Sequence, residues 1–233
     1  MSNNHTISKI PYFEVFSFAF IQEMWEYFLN CTPLKKGTTV RTRTILSLSG
    51  PSGAGKTMLA EMLINHFGSN AEMVKSTTTR APRKTDLPDE FRYIDQDEFT
   101  RMIRQSEFAW AVEHGSGSYG TEGSILAEAL VKNFGVGVMI LTPGAVGDLH
   151  SFLKVLTLPD CRYFPVFVLS PGEAQLKGRL RKRGDLAEEK ITLRLKQEES
   201  WEKDARESNH GFHFIQNDST PENAFREVLR LLQ

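Results

Sequence analysis

This 233-residue sequence has few cysteines, no excess of either charge and no long uninterrupted apolar run. Only Cys31 and Cys161 occur, far apart and without C-x-x-C spacing, which argues against a disulfide framework or a zinc site and fits a reducing cytosol. Lys and Arg number 28 against 29 Asp and Glu, so no global field draws nucleic acid or an anionic membrane. The six histidines form no H-E-x-x-H pattern, and each reads as structural or surface. The most apolar stretch, Tyr12 to Leu29, is interrupted by Glu14, Glu23 and Glu26, which argues against a membrane span. Lys9 is nearly the only charge ahead of it and no A-x-A site is evident, so a secretory signal fits poorly and a cytoplasmic location is expected. Internal repeats and low-complexity tracts are also missing.

The chain divides in two. Phe13, Phe16, Phe20, Met24 and Tyr27 recur at helical spacing, which predicts an amphipathic helix. Such a helix packs on its own domain, forms a homodimer contact, or docks to a partner or membrane surface. Thr32 to Thr39 reads as a linker. Residues 1–40 are therefore expected to be an aromatic-rich extension and 41–233 a single domain.

Within that domain, Gly50-Pro51-Ser52-Gly53-Ala54-Gly55-Lys56-Thr57 is a complete G-x-x-x-x-G-K-[ST] phosphate-binding loop. The β-compatible run Thr44 to Ser49 precedes it. Met58, Leu59, Met62, Leu63 and Phe67 follow at helical spacing, so the loop sits between a strand and a helix N-terminus. Glycines there let backbone N–H groups turn inward around phosphate oxygens, and the helix dipole adds positive potential. Lys56 reaches β- and γ-phosphates, and the Thr57 hydroxyl suits Mg2+. ATP with Mg2+ is the expected ligand of Gly50, Ser52, Gly53, Ala54, Gly55, Lys56 and Thr57.

Downstream, strand-like and helix-like segments alternate, which predicts an α/β fold on a parallel sheet. Ser76 to Arg83 reads as a polar loop and Phe91–Ile94 as a strand. Asp95 with Glu98 has capping-box form and opens a helix through Gln105. Ala109–Glu113 reads as a strand, Glu122–Asn133 as a helix, and Val136–Leu141 and Arg162–Leu169 as buried strands. A helix is expected from Glu173 to Arg183, a second and longer one from Leu186 to about Ser208, a last strand at Phe212–Ile215 and a helix from Pro221.

The order G-P-S-G-A-G-K-T, S-T-T-T-R-A-P-R, E-F…S-Y-G-T, R-L-R-K-R-G-D and Q-N-D closely resembles guanylate kinases, over about Arg43 to Gln233. The resemblance implies a P-loop kinase of three-layer α/β/α architecture, with a parallel core sheet, an acceptor-binding region and a helical lid. It implies transfer of the γ-phosphoryl of ATP to the phosphate of a small acceptor, a nucleoside monophosphate. Arg80, Arg83 and Tyr119 match the clamp on the acceptor phosphate, and Phe91 stands where the family has a second tyrosine. Arg179 and Arg183 match lid arginines and Arg194 one on the next helix; with Lys56 they form the implied catalytic set. Ser76 and Thr121 match hydroxyl residues of the base pocket, and Asp86 stands in place of a glutamate.

Two departures concern the base. The family meets the N1–H and 2-amino donors of guanine with carboxylates. Here Ala109 or Trp110 replaces one, depending on a one-residue gap, and Thr142 replaces the other. Glu113 is the nearest substitute; its offset from Trp110 turns it to the opposite strand face unless a bulge intervenes. A base preference other than strict GMP is the expectation. Two rival readings also follow from resemblance. Ribose bisphosphate phosphokinases are similar P-loop kinases without those carboxylates, and some guanylate-kinase-like domains are scaffolds that bind phosphopeptides.

Overall fold

The computed structural model describes residues 43–114, 117–132, 135–156, 161–184, 187–218 and 220–233. The expected N-terminal helix, the linker and Cys31 lie outside these residues. Strand β1 (Arg43–Ser49) is the axis of the fold. Helix α1 (Lys56–Phe67) follows the phosphate loop, and β2 (Ala71–Met73) and β3 (Ser76–Thr78) come next. Then β4 (Phe91–Tyr93), α2 (Gln96–Arg104), β5 (Phe108–His114) and β6 (Gly117–Glu122) form a second unit of structure. Helix α3 (Gly123–Lys132), β7 (Val136–Ile140), α4 (Val146–Val155) and β8 (Cys161–Val168) return to the core. The chain ends with α5 (Glu173–Arg183), α6 (Glu188–Gln197), α7 (Trp201–Glu207), β9 (His213–Ile215) and α8 (Pro221–Leu232).

Five strands form a parallel sheet in the order β2-β7-β1-β8-β9. Side-chain alternation along β1 decides its two faces. Leu46 and Leu48 pack with Leu59 and Leu63 of α1 and with Ala224 and Val228 of α8. Ile45 faces the other way, into a cluster with Leu126 and Leu130 of α3 and Leu149 and Phe152 of α4. Helices thus cover both faces of an all-parallel sheet, as burial on both sides of its central strands requires. The phosphate loop leaves the carboxyl end of the central strand, where open α/β sheets present ligands.

A second sheet, ordered β4-β3-β6-β5, carries the acceptor side. Its β3–β4 pair is parallel and its other pairs antiparallel. Helix α2 packs Phe99 and Met102 on Phe108 and Ala111 of β5. The Asp95 carboxylate caps α2 by accepting the Glu98 N–H at 2.8 Å, while the Glu98 carboxylate turns to Arg101.

Three sequence expectations change here. The polar loop starting at Ser76 begins as strand β3, and Gly117–Glu122, given no strand above, forms β6. No apolar alternation marks these strands because their buried hydroxyls are satisfied within the sheet. The Thr78 hydroxyl donates to Ser118 O at 2.9 Å, and the Ser76 and Thr121 hydroxyls lie 3.1 Å apart. The long helix expected to Ser208 is two helices, broken at Glu198–Ser200. There bonds to the third residue back tighten the turn, such as Trp201 N–H to Glu198 O at 3.2 Å. The charge-rich sequence carries no glycine or proline to mark that break.

Candidate active site

A cavity of about 740 Å3 opens where the phosphate loop, the second sheet and helices α5 to α7 meet. The loop is built by its neighbours. Gly50 has φ 131°, and a Cβ there would lie 2.3 Å from Val168 O of β8. Gly55 has φ 102°, and a Cβ there would lie 2.3 Å from Nδ2 of Asn217, which donates to Ala54 O at 2.6 Å. Both positions therefore require glycine, on backbone conformation and on space alike. Arg179 of α5 braces the loop, donating to Gly53 O at 3.1 Å and Asn217 O at 3.2 Å.

Lys56 donates from Nζ to Gly50 O at 2.7 Å and Pro51 O at 2.9 Å. Burial is the largest influence and lowers its pKa to about 8; the Glu198 charge opposes this, while Arg194 and Arg183 push further down. Thr57 lines the cavity next to it, and Glu61 faces the same space one turn along α1.

On the acceptor side, Arg80 is almost fully buried and held on three sides. Its guanidinium donates to both Asp86 oxygens, at 2.6 and 2.9 Å, and to Ala81 O at 2.8 Å. It lies 4.5 Å above the centre of the Phe91 ring. Asp86 also accepts the Arg83 N–H at 2.7 Å and the Tyr93 hydroxyl at 2.6 Å. Burial alone would raise the Asp86 pKa; the Arg80 and Tyr93 hydrogen bonds outweigh it and hold it below the usual range. Phe91, in place of a tyrosine, gives Arg80 a ring face, and the hydroxyl two residues on belongs to Tyr93. Arg83 has its pKa lowered first by burial, then by the like charges of Arg80, Arg194 and Arg183. This convergence of cations is what two phosphate groups brought together would relieve.

At the base end, β5 decides the face. A bulge between Phe108 and Trp110 absorbs Ala109. Trp110, Val112 and His114 then line the cavity, while Glu113 turns outward and is exposed, so the bulge does not bring Glu113 inward. Trp110 is 1% exposed and its indole Nε1 meets no protein acceptor among the described residues. Thr142 also lines the cavity, and its buried hydroxyl has no protein partner among the described residues.

Of the residues singled out from sequence, Ser52, Gly53, Gly55, Lys56, Thr57, Ser76, Arg80, Arg83, Phe91, Trp110, Tyr119, Thr142, Arg179, Arg183 and Arg194 line this cavity. Gly50, Ala54 and Thr121 stand behind its wall, the first two shaping the loop and the third bonded to Ser76. Glu90, His114 and Glu198 are among the lining residues that sequence reasoning missed. Glu90 is 6% exposed, and its carboxylate accepts the Leu87 N–H at 2.9 Å; burial raises its pKa. His114 carried no motif. Glu198 is 1% exposed at its side chain, and only its spacing of four from Arg194 hinted at a role.

The sequence matches the family model described as guanylate kinase over residues 41–233. The guanylate kinase of Mycoplasma mobile is 30% identical, over 65% of this chain and 75% of its own length. That of Mycoplasmopsis pulmonis is 28% identical, over 83% of this chain and 95% of its own. The solved structure of guanylate kinase from Anaplasma phagocytophilum shares the fold with a TM-score of 0.52 at 20% identity, covering 83% of this chain and 87% of that one.

Proposed function

The chain belongs to the guanylate kinase family, and from that premise we propose an ATP-dependent nucleoside monophosphate kinase whose base preference is not confined to GMP. The observation that carries the base assignment is Trp110, which lines the cavity and whose buried indole N–H has no protein acceptor among the described residues. An indole N–H only donates, so the group that meets it must accept. Thr142 can donate or accept. Of the acids on the cavity wall, Asp86 is bound to Arg80, Glu198 to the phosphate loop, and Glu61 belongs to α1. Glu90 is left to meet an amino or imino donor of the base. This is a different donor–acceptor set from two carboxylates facing guanine, and a buried mismatch costs specificity factors of about 10⁴–10⁵.

The chemistry needs little covalent help, because positioning and charge neutralisation dominate phosphoryl transfer. Arg80, Arg83 and Tyr119 hold the acceptor phosphate. Lys56 and the loop N–H groups hold the donor, and Arg183 and Arg194 stabilise charge on the group in transit. Arg179 keeps the loop in shape. Enclosure by α5 to α7 excludes water and so suppresses hydrolysis. The donor set fits Mg2+, which binds through one or two protein groups, waters and substrate phosphates. Thr57 would ligate it and Glu61 would hold its waters; bound there, Mg2+ would neutralise phosphate charge. We place the enzyme in the cytoplasm.

The test measures ADP release from Mg2+-ATP with a panel of nucleoside and sugar monophosphates, beside Lys56→Ala as the inactive control. Turnover of several nucleotides, or of one other than GMP, is expected. GMP turnover at ordinary nucleotide-kinase efficiency with all other acceptors far below would refute the base assignment. Stimulation only by sugar phosphates would refute the nucleotide reading.

A further inference from the structure

A carboxylate already sits in the phosphate loop. Glu198, at the C-terminal end of α6, accepts the Ser52 backbone N–H on Oε2 at 2.6 Å and the Ser52 hydroxyl on Oε1 at 2.8 Å. Nε2 of His114, from β5, lies 3.2 Å from the same Oε1, and Nε of Arg194 donates to it at 3.2 Å. Lys56 is close enough that Glu198 is the strongest charge acting to raise its pKa. The Trp201 ring closes the arrangement, 4.9 Å from His114.

These partners are the ones phosphate oxygens use. A loop N–H faces the cavity to receive an anion. Lys56 reaches the β- and γ-phosphates. Arg194 belongs to the helix assigned above to the charge in transit. A carboxylate offers the same geometry of paired oxygens as a phosphoryl group and the same sign of charge. Two anions cannot share one set of donors, so a nucleotide polyphosphate that takes the loop must move Glu198 out of it.

We propose that Glu198 is a resident occupant of the β/γ-phosphate end of the loop, and that ATP binds by displacing it. Resting on the donor-site reading above, this makes Glu198 a positioning residue. While bound to Ser52 it holds α6, and with it Arg194, against the empty loop. When phosphates arrive, Ser52, Lys56 and Arg194 exchange a carboxylate for phosphate oxygens, and Arg194 is released from Glu198 to the γ-phosphoryl. The occupant reduces apparent ATP affinity by the fraction of molecules in which the loop is blocked; if one molecule in about ten is open, the reduction is about ten-fold. In exchange, the loop keeps its buried N–H satisfied and its cations paired when no nucleotide is present.

The experiment is equilibrium binding of a non-hydrolysable ATP analogue with Mg2+ to the full chain and to Glu198→Gln and Glu198→Ala. Glu198→Gln keeps an oxygen for the Ser52 N–H and removes the charge, so it carries the test if Glu198→Ala folds poorly. Both variants are expected to bind the analogue about ten-fold more tightly, with KM for ATP falling and KM for the acceptor unchanged. A merely structural role would lower thermal stability and leave analogue affinity where it was. Unchanged or weaker binding by Glu198→Gln overturns the proposal while leaving the donor site intact. Failure of all three proteins to bind the analogue overturns the donor-site reading and this proposal with it.

Discussion

Replacing Trp110 by Phe should move stability and acceptor affinity independently, which makes it the sharpest probe of the base pocket. The substitution keeps an aromatic ring on β5 and deletes the indole N–H. That N–H is buried without a protein acceptor among the described residues, and such a donor costs about 1–3 kcal/mol. Losing the larger ring system from a cluster that includes Leu126, Met139 and Leu141 costs roughly 1–2 kcal/mol in contacts and residual cavity. The two terms oppose, so chemical denaturation should place the variant within about 1 kcal/mol of the parent. Acceptor binding has no such compensation. The base atom facing residue 110 loses its donor and is itself left buried and unpaired, which costs about 1.5–3 kcal/mol, or roughly ten- to a hundred-fold in acceptor KM. KM for ATP should stay within two-fold, because the donor loop is formed by other elements. Steady-state ADP release with each acceptor varied at saturating ATP reads both numbers. An acceptor KM within two-fold of the parent for every active monophosphate, in a protein of parental stability, would refute the assignment of Trp110 to base reading.

Other substitutions test the remaining parts. Gly55→Ala forces a Cβ to within 2.3 Å of Asn217 at φ 102°, and should cost on the order of 1–3 kcal/mol in thermal unfolding and abolish ADP release. Parental activity there would show that the loop is not held as described. Arg80→Lys removes a two-point hold on Asp86 and a cation stacked on Phe91; acceptor KM should rise at least about ten-fold with KM for ATP unchanged, measured in the same assay. Acid titration tests Glu198. Burial alone would raise its pKa, but the His114 hydrogen bond, the Lys56 charge, the Ser52 N–H and the Arg194 charge hold it down at about 2. A carboxyl with a depressed folded-state pKa adds stability that is fully present above its ordinary value near 4.5 and is lost as pH falls toward 2. Denaturation midpoints followed across that window should fall by on the order of 3 kcal/mol more in the parent than in Glu198→Gln. Parallel curves would show that Glu198 is not held ionised. Burial lowers the Lys56 pKa to about 8, which predicts that kcat/KM for ATP declines above pH 8 as the amine loses its charge.

Most of the phosphate-loop half is legible in the sequence. A phosphate loop is a local device, in which eight consecutive residues, a preceding strand and a following helix contain nearly all of its chemistry. Strands β7 and β8 of the core sheet were equally plain from their apolar runs, whereas the three-residue edge strand β2 was too short to read. Strands β3 and β6 were hidden because serine and threonine satisfied one another across the sheet, leaving no hydrophobic period to read. The bulge at Ala109 could not be inferred from spacing, yet it determines which of two adjacent side chains faces the cavity. Phe91 read as a lost hydroxyl; in the folded chain it is the ring beneath Arg80, and Tyr93 supplies a hydroxyl to Asp86.

The sequence by itself determined the α/β class, the phosphate-loop motif, the paired arginines at 80 and 83, and Trp110 and Thr142 where the resemblance expects carboxylates, since each is written in neighbouring residues. Tertiary structure alone decided that Trp110 lines the cavity and Glu113 does not, that the buried Glu90 joins its wall, and that Glu198 reaches Ser52 across 146 positions of chain. Those facts depend on strand pairing and helix packing, which join residues by three-dimensional proximity, and no local pattern of side chains encodes such a meeting.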